Sequence, residues 1–307
     1  MSDLVSVIIP ASNPGEFIRE TIDSVIAQTY SNFEIIIVDD GSSDNTGEII
    51  GSIRDDRIKY YYQPKSGMPA QVRNKAVGLS RGELIAFLDH DDVWMPKKLE
   101  VQIAVIKNNL DIALVSTNAY YMYDGKKTER PLVVGVRNGY FRDRVFIPRN
   151  GVVQSTVLVK RNIFDEVGGF NESADLFAIE DYDFWVRVYA AKSPCYYLSD
   201  PTMYFRKNTG SASGRESQVL KRSLHHYNKY FSSFGFSKKI NQARLFEILV
   251  ALYFRRIFLG DKQCAESLRS ERLPKGVLAT FLIWAVFSLP HKFIDKMYEL
   301  IKYGPAK

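Results

Sequence analysis

Leu84-Ile85-Ala86-Phe87-Leu88-Asp89-His90-Asp91-Asp92 is the stretch that decides the fold. Five apolar residues, just past Gly82, run straight into three acids within four positions. An apolar run of this length without alternation suits a strand buried on both faces, as in parallel sheets. Open α/β sheets bind ligands outside the carboxyl ends of their strands, so these acids stand where a ligand is expected. Three acids so close repel one another unless a cation or a donor compensates them. Oxygen ligands at this density suit Mg²⁺ or Mn²⁺, which use one or two carboxylates together with substrate phosphates.

Upstream, the pattern repeats. Val5–Ile9, Glu34–Val38 and Ile58–Tyr62 read as strands rich in β-branched or aromatic residues, and Glu16–Gln28, Thr46–Ile53 and Pro69–Leu79 as the helices between them. In the first helix Phe17, Ile18, Ile22, Val25 and Ile26 recur at helical spacing. Strands alternating with helices predict a parallel sheet covered on both faces. Its carboxyl edge then carries Pro10-Ala11-Ser12-Asn13 after the first strand and Asp39-Asp40-Gly41-Ser42 after the second. Asp44 reads as a turn former or helix cap. Past Ser116 the periodicity weakens. Tyr120–Arg149 reads as loop, Val152–Val159 as a strand, and Asp181–Ala191 as a helix with acids in its first turn, where the helix dipole favours them.

Composition narrows the class. The chain has 307 residues, 46% hydrophobic and 25% charged, with a net charge of +6, which excludes disorder as the main state. The charge is divided unevenly. Residues 1–200 hold 22 basic and 28 acidic side chains, whereas residues 201–307 hold 19 and 7. Two cysteines, Cys195 and Cys264, exclude a disulfide framework and a four-cysteine zinc site. Neither G-x-G-x-x-G nor G-x-x-x-x-G-K-[ST] occurs, which counts against dinucleotide oxidoreductases and P-loop NTPases. The start lacks a basic n-region, and the longest apolar stretch, Val277–Leu289, is too short to span a bilayer. A cytoplasmic protein is expected.

With these blocks in hand, the chain resembles the family 2 glycosyltransferases. Ser6–Pro10, Ile22–Tyr30, Ile36–Ser43, Gly82–Asp92, Gly168-Gly169-Phe170-Asn171-Glu172 and Glu180-Asp181 stand in that family's order and spacing, over about residues 4–213. The resemblance implies a GT-A fold: a nucleotide-sugar-binding, Rossmann-like mixed sheet flanked by helices, over residues 1–214. A helical, basic appendage over 215–307 would follow it. It implies a metal-dependent (Mn²⁺ or Mg²⁺) inverting transfer of one sugar from a nucleotide diphospho-sugar, with UDP-sugars the expected donors. The acceptor would be a glycan or a lipid-linked hydroxyl.

Carried over residue by residue, Pro10, Ala11, Ser12 and Asn13 match the first donor loop, and Asp40 matches the acid that bonds the nucleobase. Asp39 and Arg73 would support donor binding. Asp91 would ligate the metal, with Asp89 nearer the ribose or the metal's waters. Asp181 matches the catalytic base, beside Glu180, and Arg206 and Lys207 would help neutralise the diphosphate. The chain departs from the family at Ser12, where an aromatic is frequent, at His90 in the centre of D-x-D, and at Asn208, where a His is common. The Q-x-x-R-W element of processive synthases is absent, which favours one sugar per encounter. Tyr182, Phe184 and Trp185 read as core.

Two other classes stay open on the residues alone: a nucleotidyltransferase, which shares acids and Mg²⁺ on an α/β sheet, and a non-catalytic sugar-binding protein. The basic tail has no nucleic-acid motif. Phe281, Trp284 and Phe287, flanked by Lys275 and Lys292, suit an anionic lipid surface on the cytoplasmic face of a membrane. Packing against the catalytic body or in a homodimer is the competing reading.

Overall fold

The computed structural model describes residues 4–141 and 152–207, with Val219, Arg222, Ser223 and 225–227 as isolated helical positions. The readings of Asn208 and of the tail beyond residue 227, its apolar and basic stretches included, lie outside the described residues. The chain divides into two compact units. The first comprises Met1–Leu132, Arg137–Phe141 and Val152–Thr209; the second comprises Val133–Val136, Arg142–Gly151 and Gly210–Lys307. Everything below concerns the first. Among the described residues no helix is long and apolar enough to cross a membrane.

The first half of the unit alternates as its periodicity predicts. Strand β1 (Val5–Ala11) leads to α1 (Ile18–Ile26), β2 (Phe33–Asp40), α2 (Thr46–Ser52), β3 (Ile58–Gln63), α3 (Pro69–Leu79) and β4 (Leu84–Phe87). The four strands pair in parallel in the order β3-β2-β1-β4. All eight residues of β2 are buried, as an apolar central strand requires. α1 buries Ile18, Ile22 and Val25, spaced to share one face. α3 starts with Pro69, whose missing N–H costs nothing in a first turn, and packs on β1 and β2.

The second half makes the sheet mixed. It adds β5 (Val93–Trp94), α4 (Lys98–Asn108), β6 (Leu114–Tyr123), β7 (Lys126–Pro131) and β8 (Gly139–Tyr140). A 3₁₀ turn (Gln154–Thr156) then leads into β9 (Leu158–Lys160), α5 (Arg161–Glu166), α6 (Glu180–Ala190) and β10 (Cys195–Lys207). β9 lies antiparallel between β4 and β6, and β10 runs parallel to β6. Two expectations change here. Tyr120–Arg149 is not all loop, because β6 and β7 form a hairpin about Asp124-Gly125, both at positive φ. Val152–Val159 is not one strand: its centre, Gln154-Ser155-Thr156, is polar and turns, and the paired strand is Leu158–Lys160.

Parallel register brings the working loops together. Ala11 lies opposite Asp39 and Asp40 opposite Gln63, so the segments after β1, β2 and β3 leave the sheet along one edge. Gly41, at φ +68°, lets the chain after β2 approach the next loop. A Cβ there would stand 2.7 Å from the Lys65 backbone nitrogen.

Candidate active site

Hydrogen bonds lock the loops at the carboxyl edge to one another. Asn13, exposed and at φ 52°, accepts at Oδ1 from the Ser43 backbone N–H (2.7 Å), while its own N–H donates to Ser42 Oγ (2.8 Å). That staple joins the ends of β1 and β2. Asp39 and Asp40 are both buried, yet face different tasks. Asp39 accepts from the Ser42 N–H (2.9 Å) and from the Tyr60 hydroxyl (2.7 Å). Asp40 accepts from Gln63 Nε2 (2.8 Å) and from the backbone N–H groups of Ser66 (2.7 Å) and Gly67 (2.8 Å). Burial alone would raise the Asp40 carboxyl, but these donors outweigh it and hold the group below the ordinary range. Asp44 accepts from Thr46 N, two positions on, and from Gly15 N, and so forms a turn ahead of α2.

The D-x-D segment follows β4. His90 Nδ1 lies 3.0 Å from the Pro10 carbonyl. A carbonyl only accepts, so Nδ1 carries the proton and His90 ties the segment to the first loop. The Asp89 N–H donates to Ser155 Oγ (3.0 Å). Burial pushes the Asp91 carboxyl up, and the Asp89 charge adds to it, against the opposing pull of His90 and Arg206. Asp92 is more deeply buried and pushed up further, by desolvation first and then by Asp91 and Asp89. Ser12 is half-buried and Ala11 buried.

Beyond the sheet, Arg73 of α3 is the buried hub. Its Nη1 donates to Glu180 Oε1 (2.6 Å) and its Nη2 to Asp89 Oδ1 (2.8 Å). Burial works against the guanidinium charge, but Asp89 and Glu180 more than offset it and raise its pKa. The next residue, Asn74, donates to the Phe170 carbonyl and Glu172 Oε1 (both 2.8 Å) and accepts from the Phe170 N–H (2.9 Å). Thus α3 gathers the D-x-D, G-G-F-N-E and E-D blocks, the last of them 107 positions beyond Arg73. Ala178 at φ 66° turns the chain into α6. There Glu180 faces inward to Arg73, and Asp181 is left partly exposed with Oδ1 on the Tyr182 N–H (2.6 Å). Asp181 is pushed up to about 7, by desolvation first and then by Glu180, with Arg73 pulling the other way. Tyr182, Phe184 and Trp185 are buried core, and Phe184 and Trp185 join a ring cluster with Phe87, Phe164 and Phe170.

Arg206, expected at the diphosphate, is engaged within the protein. It is buried, its Nε donates to the Asp91 carbonyl (2.6 Å), its N–H to Asp92 Oδ1 (2.9 Å) and its Nη2 to Glu20 Oε2, while the guanidinium lies over Phe17. Lys207 is half-buried, with Nζ over the Phe205 ring. The residues missed from sequence are the positioning ones: Asn74, Ser155 and Glu20. For Ser155 a signal existed, a polar triplet interrupting an apolar run.

Among the described residues no group of three His, Cys, Asp or Glu side chains is placed to hold a metal ion. The donor set still fits Mg²⁺ or Mn²⁺, because such ions take one or two carboxylates and complete their shell with phosphates and water. Asp91 and Asp89 are the groups present, and a cation beside them would offset the burial and the Asp89 charge that raise the Asp91 carboxyl.

A mixed sheet whose parallel half carries acids at its carboxyl edge, without a phosphate-binding glycine loop, is the architecture of the GT-A enzymes, which act on nucleotide-sugars. Comparison with known proteins makes the assignment. The family described as Glycosyl transferase family 2 matches residues 6–168, more than half of the chain. An uncharacterized glycosyltransferase of Rickettsia typhi is 29% identical over 99% of this chain and 93% of its own length. The Escherichia coli protein named UDP-Glc:alpha-D-GlcNAc-diphosphoundecaprenol beta-1,3-glucosyltransferase WfaP is 31% identical over 71% of this chain and 86% of its own. The chain belongs to glycosyltransferase family 2 and is a glycosyltransferase. Solved structures agree on the fold. Staphylococcus aureus TarS in complex with UDP-GlcNAc matches with a TM-score of 0.66 at 21% identity, covering 86% of this chain and 79% of that one. The mannosyltransferase PcManGT of Pyrobaculum calidifontis, in complex with GDP-Man and Mn²⁺, matches with 0.61 at 16%, covering 97% and 83%.

Proposed function

We propose that the enzyme moves one sugar, with inversion, from a UDP-sugar to a hydroxyl of a lipid-linked or glycan acceptor, with Asp181 as the base. The observation that carries this reading is the raised Asp181 carboxyl, partly exposed at the start of α6 and joined through Glu180 and Arg73 to Asp89. A base whose pKa lies near neutral takes a proton from a hydroxyl without being permanently protonated or too weak. In a single displacement the acceptor oxygen attacks the anomeric carbon, Asp181 accepts its proton, and the bond to the departing nucleoside diphosphate breaks. Positioned proton transfer of this kind is worth roughly 10²–10⁴ in rate. Glu180 touches no substrate in this scheme; its pair with Arg73 positions Asp181.

Asp40 and the loop it holds take the nucleobase, with Asp39 and the stapled Pro10–Asn13 segment behind it. Asp91 and Asp89 hold Mn²⁺ or Mg²⁺, which supplies Lewis-acid stabilisation of the leaving diphosphate. Of the two cations expected there, Lys207 meets the diphosphate, since Arg206 is engaged with Glu20 and the Asp91 carbonyl. The E. coli relative's name supports a UDP-sugar and a diphospholipid-linked acceptor, and the Mn²⁺ complex of the mannosyltransferase supports a divalent ion. A lipid-linked acceptor also favours a membrane-facing role for the basic tail over a homodimer.

The test is a panel of nucleotide-sugars, with and without Mn²⁺, scored by thermal shift and slow donor hydrolysis. Stabilisation by UDP-sugars only when Mn²⁺ is present is expected; equal response to every nucleotide, or to none, overturns the reading. For the tail, deletion of residues 275–307 lowers sedimentation with anionic vesicles, and identical sedimentation of both forms removes the membrane role.

A further inference from the structure

We infer that Gln154 binds hydroxyl groups of the sugar being transferred and thereby selects among donors. The inference rests on the donor orientation proposed above and adds the sugar end to it.

Gln154 opens the 3₁₀ turn that precedes β9, and its side chain is buried. Everything around it on that turn is bonded. Ser155 Oγ accepts from the Asp89 N–H, and the Ser155 carbonyl accepts from Trp94 Nε1 (2.9 Å). The Thr156 carbonyl accepts from Gln102 Nε2 (2.8 Å), and the Thr156 hydroxyl lies 2.8 Å from that of Ser116. The Gln154 carbonyl accepts from the Val157 N–H (3.2 Å). Only the Gln154 amide is left over: neither Nε2 nor Oε1 finds a partner among the described residues. These bonds hold the turn in place, and a buried amide without partners costs stability until something bonds it.

Topology says what that something is. β9 runs antiparallel to β4, with Leu158 opposite Ala86, and the Phe87 N–H donates to the Val157 carbonyl. The turn therefore sits at the same edge of the sheet as the D-x-D segment. Across that edge the strands run β2, β1, β4, β9, which sets Asp40, Asn13, Asp89 and Gln154 in order. Neighbouring strands are ~4.8 Å apart, so this row spans ~14 Å. A nucleotide diphospho-sugar has its groups in the same sequence: base, ribose, diphosphate, sugar. With the base at Asp40 and the diphosphate beside Asp89 and Asp91, the sugar falls past β4, at the turn. The chemistry agrees. A neutral amide offers two N–H donors and one acceptor, which matches sugar hydroxyls, each both donor and acceptor. A diphosphate calls for cations instead.

The experiment uses the full chain carrying Gln154→Leu, close in shape and without polar atoms, and Gln154→Asn, a shortened amide that guards against misfolding of the first. UDP, UDP-glucose, UDP-GlcNAc and deoxy analogues of the preferred UDP-sugar are titrated calorimetrically and assayed for turnover. Affinity for the UDP-sugar should fall roughly 10- to 100-fold in Gln154→Leu, affinity for UDP alone should not change, and the wild-type preference over one deoxy analogue should vanish. A smaller loss is expected for Gln154→Asn. Parallel losses for UDP and UDP-sugar, or unchanged sugar affinity, overturn the role of Gln154 while leaving the enzyme's activity as proposed. If the wild-type protein binds neither UDP nor any UDP-sugar, the donor reading and this inference fall together.

Discussion

Arg73 Nη1 stands 2.6 Å from Glu180 Oε1, and this buried pair joins the acid that neighbours the candidate base to the helix that also holds Asp89. Both side chains are less than a tenth exposed. Two charges removed from water gain little over a hydrophobic pair, but breaking such a pair leaves an uncompensated buried charge. The arrangement therefore reads as geometry held at some cost: one guanidinium spaces the D-x-D and E-D segments.

Arg73→Met should remove that spacing and leave Glu180 buried without its partner. Destabilisation of about 3–5 kcal/mol is expected in urea unfolding. Glu180→Gln in the same background should recover a good part of it, because the orphaned charge is then gone. If Arg73→Met unfolds at the wild-type midpoint, the pair carries no structural weight.

Asp181→Asn should lower kcat by roughly 10²–10⁴ while UDP binding stays as in wild type. It should also raise Tm at pH 8, because a carboxylate that burial and Glu180 disfavour is replaced by a neutral group. Equal loss of turnover and UDP affinity would move Asp181 out of the base role and into donor binding.

The same carboxyl sets the pH dependence. Its pKa is about 7 in the folded protein against an ordinary 3.8, so the folded state binds a proton that the unfolded state has already released. The stability contributed by this site is complete below about 3.8 and is lost as the pH rises through about 7. Activity runs the other way, since only the ionised base works. A profile of kcat/KM should climb through a single ionisation near 7 and level off above it. The residual activity of Asp181→Asn should lack that ionisation. A flat wild-type profile between pH 6 and 8 would exclude the assignment.

The first half of this sheet was legible because its strands are apolar on both faces and its helices are marked by Ile spacing and by Pro69. β6 and β10 were not. Their outer ends carry Tyr120, Tyr121, Tyr204 and Phe205, half-exposed aromatics, and the contacts that make them strands lie between them, some eighty residues apart in sequence. The acids of the site could be read in advance because carboxylates crowded after one apolar strand repel one another unless a cation or donor holds them there. The direction of a long side chain is a different matter. Arg206 lies near the end of the last strand, where the sequence suggested a diphosphate ligand, yet its guanidinium turns to Glu20 and the Asp91 carbonyl. Glu20 stands there because α1 packs against the D-x-D segment, where the Thr21 hydroxyl lies 2.9 Å from the carbonyls of both His90 and Asp92.

That turn makes Arg206 a positioning residue for Asp91, and the consequence is measurable. Its Nε holds the Asp91 carbonyl and its backbone N–H holds the Asp92 carboxyl, so the guanidinium fixes the direction in which the Asp91 side chain leaves the chain. Arg206→Met keeps the backbone bond to Asp92 but releases the Asp91 carbonyl and takes the guanidinium off the Phe17 ring. UDP affinity measured with Mn²⁺ should fall about tenfold, the worth of one charge-assisted hydrogen bond, whereas UDP affinity in EDTA should not move. A diphosphate-binding arginine would weaken both equally. Asp91→Ala provides the reference, since it should abolish the Mn²⁺-dependent part altogether and make the Arg206→Met substitution silent when the two are combined.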